Sequence, residues 1–168
     1  MSENEQKYIQ EAFDTNWVVP LGPNVDGFEA DLQSFIAEDR QVVALSSGTA
    51  AVHLALIACG VEPGDEVCVQ SFTFCASSNP IKYIGANPIF IDSEEDTWNM
   101  DPDLLEKAIL DRIAKTGKKP KAIIPVALYG MPYDCERIMA IAEKYDIPVI
   151  EDAAEGFGSK YNGQILGT

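Results

Sequence analysis

The sequence predicts an α/β fold: a mostly parallel sheet with helices on both faces. Three observations carry that expectation. Short apolar runs alternate with helix-patterned segments from residue 41 to residue 155. The runs, at 42–45, 66–70, 88–91, 122–126 and 148–150, are continuous rather than alternating, as in strands covered on both faces. The segments between them leave room for right-handed crossovers, which make neighbouring strands parallel.

Ahead of that region, Tyr8, Ile9, Ala12 and Phe13 recur at helical spacing and predict a helix over 3–14. Pro20, Gly22 and Pro23 keep the next stretch from being helical. Asn24 or Asp26 is expected to cap a second helix with Phe28, Leu32, Phe35 and Ile36 on its buried face. The Ala-rich segment 49–59 reads as a helix ended by Gly60. Further helices are expected over 75–83, 104–114 and 135–145. Residues 156–168 read as a hairpin turning at Asn162-Gly163. The expected division is a helical arm over 1–40 and an α/β domain over 41–168. The chain ends just after the hairpin, where a doubly wound sheet would normally continue.

Composition narrows the partners. Lys and Arg number 12 against 27 Asp and Glu, a formal charge of -15. Such a field repels phosphate backbones and disfavours a polybasic membrane anchor. The four cysteines form no CxxC pair, and His53 is the single histidine, so no metal site is expected. Reduced, buried thiols of a cytoplasmic protein are the plain reading. The start, MSENEQKYIQ, is not a signal peptide, and no apolar run approaches the ~20 residues that span a bilayer.

In an open parallel sheet, ligands lie beyond the carboxyl ends of the strands, which selects three segments. Ser46-Ser47-Gly48-Thr49-Ala50 joins a strand to a helix. Small residues and free amides suit a phosphate, and Ser or Thr equally suits an ordinary helix cap. It matches neither a P-loop nor a GxGxxG turn. In Gln70-Ser71-Phe72-Thr73-Phe74, an aromatic ring could stack on a flat cofactor or pack into the core. In Val149-Ile150-Glu151-Asp152-Ala153-Ala154-Glu155, alternation turns Glu151 and Asp152 to opposite faces, so one of them faces the strand-end crevice. A carboxylate there can hold a protonated ring nitrogen or cap a helix.

In their order, these segments resemble the DegT/DnrJ/StrS nucleotide-sugar aminotransferases. The likeness runs from Asn16-Trp17 and Pro20-Leu21-Gly22-Pro23 through Ser46-Ser47-Gly48-Thr49-Ala50-Ala51, Gly64-Asp65-Glu66-Val67 and Ser71-Phe72-Thr73-Phe74. It continues through Gly85-Ala86-Asn87-Pro88, Leu128-Tyr129-Gly130, the segment 148–155 and Gly158-Ser159-Lys160-Tyr161. The resemblance implies a truncated large domain of the fold-type I aminotransferases, without the C-terminal small domain. It implies pyridoxal 5′-phosphate, with Gly48 and Thr49 on the phosphate, Phe74 stacked on the pyridine ring, Asp152 on the ring nitrogen and Glu155 near the phenolic oxygen. Trp17 would contact substrate. The implied reaction moves an amino group from glutamate to a keto group of a nucleotide-linked sugar, for cell-surface polysaccharide or glycan synthesis. The implied assembly is a cytoplasmic homodimer. Asn16-Trp17 and Gly22-Pro23-Asn24-Val25 look most like members acting at C4 of a UDP-sugar.

Three departures accompany the likeness. Position 155 is often Gln or His in relatives, whereas Glu155 donates a hydrogen bond only when protonated. Ala127 stands where relatives often carry His. The family's Schiff-base lysine is expected beyond Thr168, so no catalytic lysine is assigned within the chain, and the 168 residues alone are expected to be inert. Lys160 falls in the predicted hairpin. A sugar 3-dehydratase of the same family would carry histidine in place of that lysine. A non-catalytic binding module would keep the fold and need not bind the cofactor.

Overall fold

A computed structural model describes residue 2 and residues 4–36 and 39–167. Residue 3 of the expected first helix and Thr168 of the expected hairpin lie outside the described residues, as do residues 37 and 38 of the expected arm. The chain forms two compact units, one ending at Ala44 and the other spanning Leu45–Gly167.

The first unit holds α1 (Asn4–Asp14) and α2 (Pro23–Ile36). Neither Asn24 nor Asp26 caps α2. The helix starts at Pro23, a residue suited to the first helical position, and the Gly22 carbonyl accepts from the Val25 and Asp26 amides. The expected buried face is also absent: no residue of α2 is buried, and Phe28 and Phe35 are about half exposed. Two helices in so short a stretch do not enclose a core. Residues 41–45 form no strand. A strand needs a neighbour for its backbone groups, and here the Ala44 amide donates to the Glu29 carboxylate at 2.7 Å instead.

The second unit is the α/β layer structure. Its elements are α3 (Gly48–Ala58), β1 (Glu66–Gln70), α4 (Asn79–Tyr83), β2 (Asn87–Ile91), α5 (Pro102–Thr116), β3 (Ala122–Ile124), a 3₁₀ turn (Leu128–Gly130), α6 (Cys135–Tyr145), β4 (Lys160–Tyr161) and β5 (Gln164–Ile165). The three main strands are parallel in the order β2-β1-β3. The segment 148–152 continues this sheet beside β3 through parallel bridges Ile123–Val149 and Val126–Asp152. β3 stops at Ile124 rather than 126 because Pro125 has no N–H to give the ladder; its carbonyl still accepts from Asp152 at 3.0 Å. α4 is shorter than expected for a related reason. Pro80 is tolerated only in a first turn, so the helix starts at Asn79 and residues before it form turns. α5 is longer than its periodic core: Asp101 caps it through the Asp103 and Leu104 amides, and Gly117 closes it at φ 72°. β4 and β5 form the antiparallel hairpin across Asn162-Gly163.

Alternation along the strands sorts the core into two layers. Val67, Val69, Ala122, Ile124 and Ile150 face α3 and α4, where Val52, Leu56 and Ile81 meet them. Cys68, Ile91, Ile123 and Val149 face α5 and α6, against Leu105, Ile109 and Ile138. Each such fully buried aliphatic side chain contributes about 1.5–3 kcal/mol. A bidentate pair from Arg112 on α5 to Glu66, at 2.9 and 2.7 Å, ties the amino end of β1 to this second layer. All four cysteines are free, and Cys75 is exposed, contrary to the expectation of buried thiols, because it lies in the turn before α4. Burial, with the Glu66 charge added, pushes the Cys68 thiol up to about 12.

Glu151 follows Ile150 and turns to the α5/α6 side. Its Oε2 accepts from the Gly167 amide at 2.8 Å, and its buried Oε1 has no partner among the described residues. Burial raises this carboxyl above its ordinary range. Its charge adds to the burial that raises the Tyr133 phenol and the Cys135 thiol.

At the carboxyl end of β1 a polar network replaces the apolar layers. Gln70 Oε1 accepts from the Met100 amide (2.8 Å) and the Val126 amide (3.3 Å). Gln70 Nε2 donates to Phe72 O (3.0 Å) and Asn99 Oδ1 (3.4 Å). Asn99 Oδ1 also accepts from the Leu128 amide at 3.0 Å, and Asn99 Nδ2 donates to Thr97 Oγ1 (3.1 Å) and Met131 O (3.0 Å). Both side chains are 0% exposed, and each amide uses its full donor and acceptor capacity. Beside them, hydrogen bonds from Thr97 and from the Asp96, Thr97 and Asn99 amides outweigh the burial of Glu94 and hold it below the usual carboxylate range.

Two outcomes follow from these contacts. Asn99→Ala leaves the Leu128 amide and one Gln70 N–H without acceptors in a dry layer, so stability should fall by about 2–4 kcal/mol, read from the urea midpoint; a loss under about 0.5 kcal/mol would remove the network as a determinant of the loops. For Glu151, a carboxyl that titrates higher folded than unfolded binds more protons in the folded state, so stability drains away as pH rises above the ordinary value of 4.5. Glu151→Gln cannot ionise. The stability of the variant relative to wild type should therefore grow from pH 4.5 toward neutrality, in urea titrations at stepped pH. A difference independent of pH would place the Glu151 charge in water.

Candidate functional site

The chain enters the sheet at β1, moves outward to β2, and then returns to the other side of β1 for β3. The strand order reverses between β1 and β3. Crossovers diverge there, and this edge, beyond the carboxyl ends of the two strands, is where an open parallel sheet takes its ligand. The segments that border it are 70–77 after β1, 125–130 after β3 and 152–156 after the bridging segment.

Asp152 stands at this edge. It shares the parity of Ile150 and so lies on the α3/α4 side, opposite Glu151. Its carboxylate is partly buried and held at both oxygens. Ser77 Oγ donates to Oδ2 at 2.6 Å, and the Ala154 amide donates to Oδ1 at 3.2 Å. Ser77 is 1% exposed, and Thr73 Oγ1 lies 2.8 Å from its hydroxyl. The Ser77 amide and hydroxyl both reach Phe74 O, at 3.1 and 3.3 Å. Phe74 is therefore fixed by its backbone one contact from Asp152, while its ring is 78% exposed. The ring joins no core cluster among the described residues.

Gly48 and Thr49 open α3. Residues 59–65 lead from the end of α3 to the start of β1, so α3 runs against the strand and its first turn lies at the sheet's carboxyl end. Ser47 caps the helix, its Oγ accepting from the Ala50 amide at 3.2 Å. The amides of Gly48 and Thr49 have no acceptor among the described residues. A Cβ built on Gly48 meets nothing within 4 Å. The positive end of an 11-residue helix dipole adds to these amides.

Glu155 is exposed, and its Oε2 accepts from the Tyr129 amide at 2.5 Å. Tyr129 occupies the left-handed region (φ 52°), which turns its amide toward Glu155. The contact depends on Gly156. A Cβ there would fall 2.8 Å from Ala127 Cβ and 3.1 Å from Leu166 Cδ1, so only glycine lets the two segments meet. Ser159 Oγ adds a 2.7 Å hydrogen bond to Gly130 O. Phe72 contacts Trp98 and Tyr129 edge to face, with centroids 6.3 and 6.4 Å apart.

Of the residues selected in the sequence, Phe74 and Asp152 are thus brought together through Ser77, Gly48 and Thr49 lie at the same end of the sheet, and Glu155 is pinned to the loop after β3. Trp17 belongs to the first unit, where its indole donates to Leu21 O at 2.5 Å and lies against Gly22. Lys160 is exposed on β4. Gln70, Ser77 and Asn99 were not singled out in the sequence. For Gln70 the signal was present: an amide ending a strand of buried apolar residues.

The model of the DegT/DnrJ/EryC1/StrS aminotransferase family, whose cofactor is pyridoxal 5′-phosphate, matches residues 1–168. The chain is 50% identical over 168 residues to EpsN of Bacillus subtilis (strain 168), covering 100% of this chain and 43% of that protein. It is 42% identical over 171 residues to GDP-perosamine synthase of Escherichia coli O157:H7, covering 100% of this chain and 44% of that enzyme. A crystal structure of a DegT DnrJ EryC1 StrS aminotransferase from Brucella abortus superposes with a TM-score of 0.91 at 37% identity, over 96% of this chain and 43% of that one. The chain thus spans less than half the length of the relatives it matches. The chain belongs to the DegT/DnrJ/EryC1/StrS aminotransferase family.

Proposed function

We infer that the protein to which this chain belongs uses pyridoxal 5′-phosphate to transfer an amino group from glutamate to the C4 keto group of a nucleotide-linked sugar. The observation that carries the reading is Asp152: a carboxylate past the carboxyl end of the sheet, held at both oxygens, and linked through Ser77 to the backbone of Phe74, whose ring is exposed. The residues present fit the cofactor's chemistry. The free amides of Gly48 and Thr49, with the Thr49 hydroxyl, would hold its phosphate. The ring of Phe74 would cover one face of the pyridine and exclude water from it. Glu155 would lie near the phenolic oxygen, with one carboxylate oxygen already engaged by the Tyr129 amide. Trp17 would meet substrate.

When bound, pyridoxal phosphate supplies an electron sink that lets an amino group and a proton pass between carbon atoms. Asp152, an acceptor in its ionised form, would receive the N–H of the ring nitrogen and keep that proton in place. The product sugar suits cell-surface polysaccharide or glycan synthesis, and the acting form would be a cytoplasmic homodimer. No helix among the described residues is long and apolar enough to cross a membrane.

Asp152→Asn preserves shape and removes the charge. Turnover of a keto sugar with glutamate should fall at least about a hundredfold, while the folded stability stays near wild type. Phe74→Ala should weaken cofactor binding by about three- to tenfold, measured by absorbance titration of the cofactor-free protein. Wild-type turnover in Asp152→Asn would refute the assignment.

A further inference from the structure

We propose that Ser77 is the positioning residue for Asp152, and that Thr73 completes a hydroxyl relay that fixes the carboxylate toward the ring nitrogen. The proposal rests on the reading of Asp152 given above.

The geometry assigns the protons. Ser77 has one hydroxyl proton and three acceptors in reach, Asp152 Oδ2 at 2.6 Å, Thr73 Oγ1 at 2.8 Å and Phe74 O at 3.3 Å. The shorter contact to a charged acceptor is the stronger by far, so the proton goes to Asp152. The Ser77 oxygen is then free to accept. Thr73 Oγ1 lies 2.8 Å from it, against 3.4 Å to its other acceptor, Phe74 O. Thr73 therefore donates to Ser77, and Ser77 to Asp152. Hydrogen bonds in series polarise one another in the same sense.

The relay does more than stabilise a turn. The turn is already closed by the Ser77 amide on Phe74 O and the Asn79 amide on Cys75 O, at 3.1 and 2.8 Å, neither of which needs a side chain. The Ser77 side chain is nevertheless buried and spent on a residue 75 positions away. Together with the Ala154 amide on Oδ1, it anchors one lone pair on each carboxylate oxygen. Rotation of the carboxylate would break both bonds, so the remaining lone pairs keep one direction. Ser77 also joins the Phe74 backbone to Asp152, through its amide on Phe74 O and its hydroxyl on Asp152, so one residue links the backbone that carries the stacking ring to the charge.

Two readouts test this besides activity. In the cofactor-free protein, the ¹³C shift of the Asp152 side-chain carboxyl, assigned by its loss in Asp152→Asn, should move in Ser77→Ala and move less in Thr73→Val. By absorbance titration, Ser77→Ala should bind pyridoxal phosphate about tenfold more weakly, equivalent to about 1.4 kcal/mol, and Thr73→Val about two- to threefold more weakly. Turnover should fall in the same order with the KM for the sugar unchanged. An unmoved carboxyl shift and wild-type cofactor affinity in both variants would overturn the proposal. If Ser77→Ala does not fold, Thr73→Val, which leaves Ser77 and its turn in place, decides by the same two measurements. Loss of cofactor affinity in Asp152→Asn but not in Ser77→Ala would remove the role of Ser77 alone. A wild-type protein that takes up no pyridoxal phosphate would remove the cofactor reading and the positioning role with it.

Discussion

The carboxamides of Gln70 and Asn99 replace backbone pairing at the place where the sheet ends. Gln70 fixes amides 30 and 56 residues further along the chain, at Met100 and Val126, and Asn99 adds the Leu128 amide and the Met131 carbonyl. Among the described residues, single backbone bridges, Ser93–Met100 and Val126–Asp152, are the extent of ladder pairing there, so the routes of these loops depend on buried side-chain groups. A buried network of this kind is all or nothing, because a missing member leaves several dry groups unpaired. Tyr129, Glu155 and the edge-to-face contacts of Phe72 all hang from loops routed this way.

The sheet separates this scaffold from the proposed cofactor site. Gln70 and Asn99 work with the α5/α6 layer, through Met100, while Asp152 and Ser77 lie on the α3/α4 side. β1 serves both. Its amino end is tied by the Arg112 pair to Glu66, its middle is buried on both faces, and its carboxyl end gives rise to Thr73, Phe74 and Ser77. Rigidity along that one strand is what allows an exposed ring and a half-buried carboxylate to keep a fixed spacing.

Much of this was legible in the sequence, for identifiable reasons. The periodicity of 135–145 and the apolar run 66–70 coincide with α6 and β1 because a cap at Asp134 and continuous burial agree with local propensity. The opposite orientations of Glu151 and Asp152 follow from the two-residue period of an extended chain. Elements failed where a proline or a missing neighbour overrode the pattern: Pro125 shortened β3, Pro80 shortened α4, and 42–45 has no adjacent strand. Ser77 was illegible because its partner is distant in sequence, and a serine in a turn carries no mark of what its hydroxyl meets.

Gly156 limits how this protein can vary. Its neighbour Glu155 is exposed and touches the rest of the molecule through one carboxylate oxygen, so another side chain of similar reach can occupy position 155 without disturbing the packing. One residue later, the space is closed by Ala127 and Leu166. Any side chain at 156 would push the segment away from Ala127 and carry position 155 with it. In a mutagenesis library, diversity at 155 leaves folded members, whereas diversity at 156 removes them.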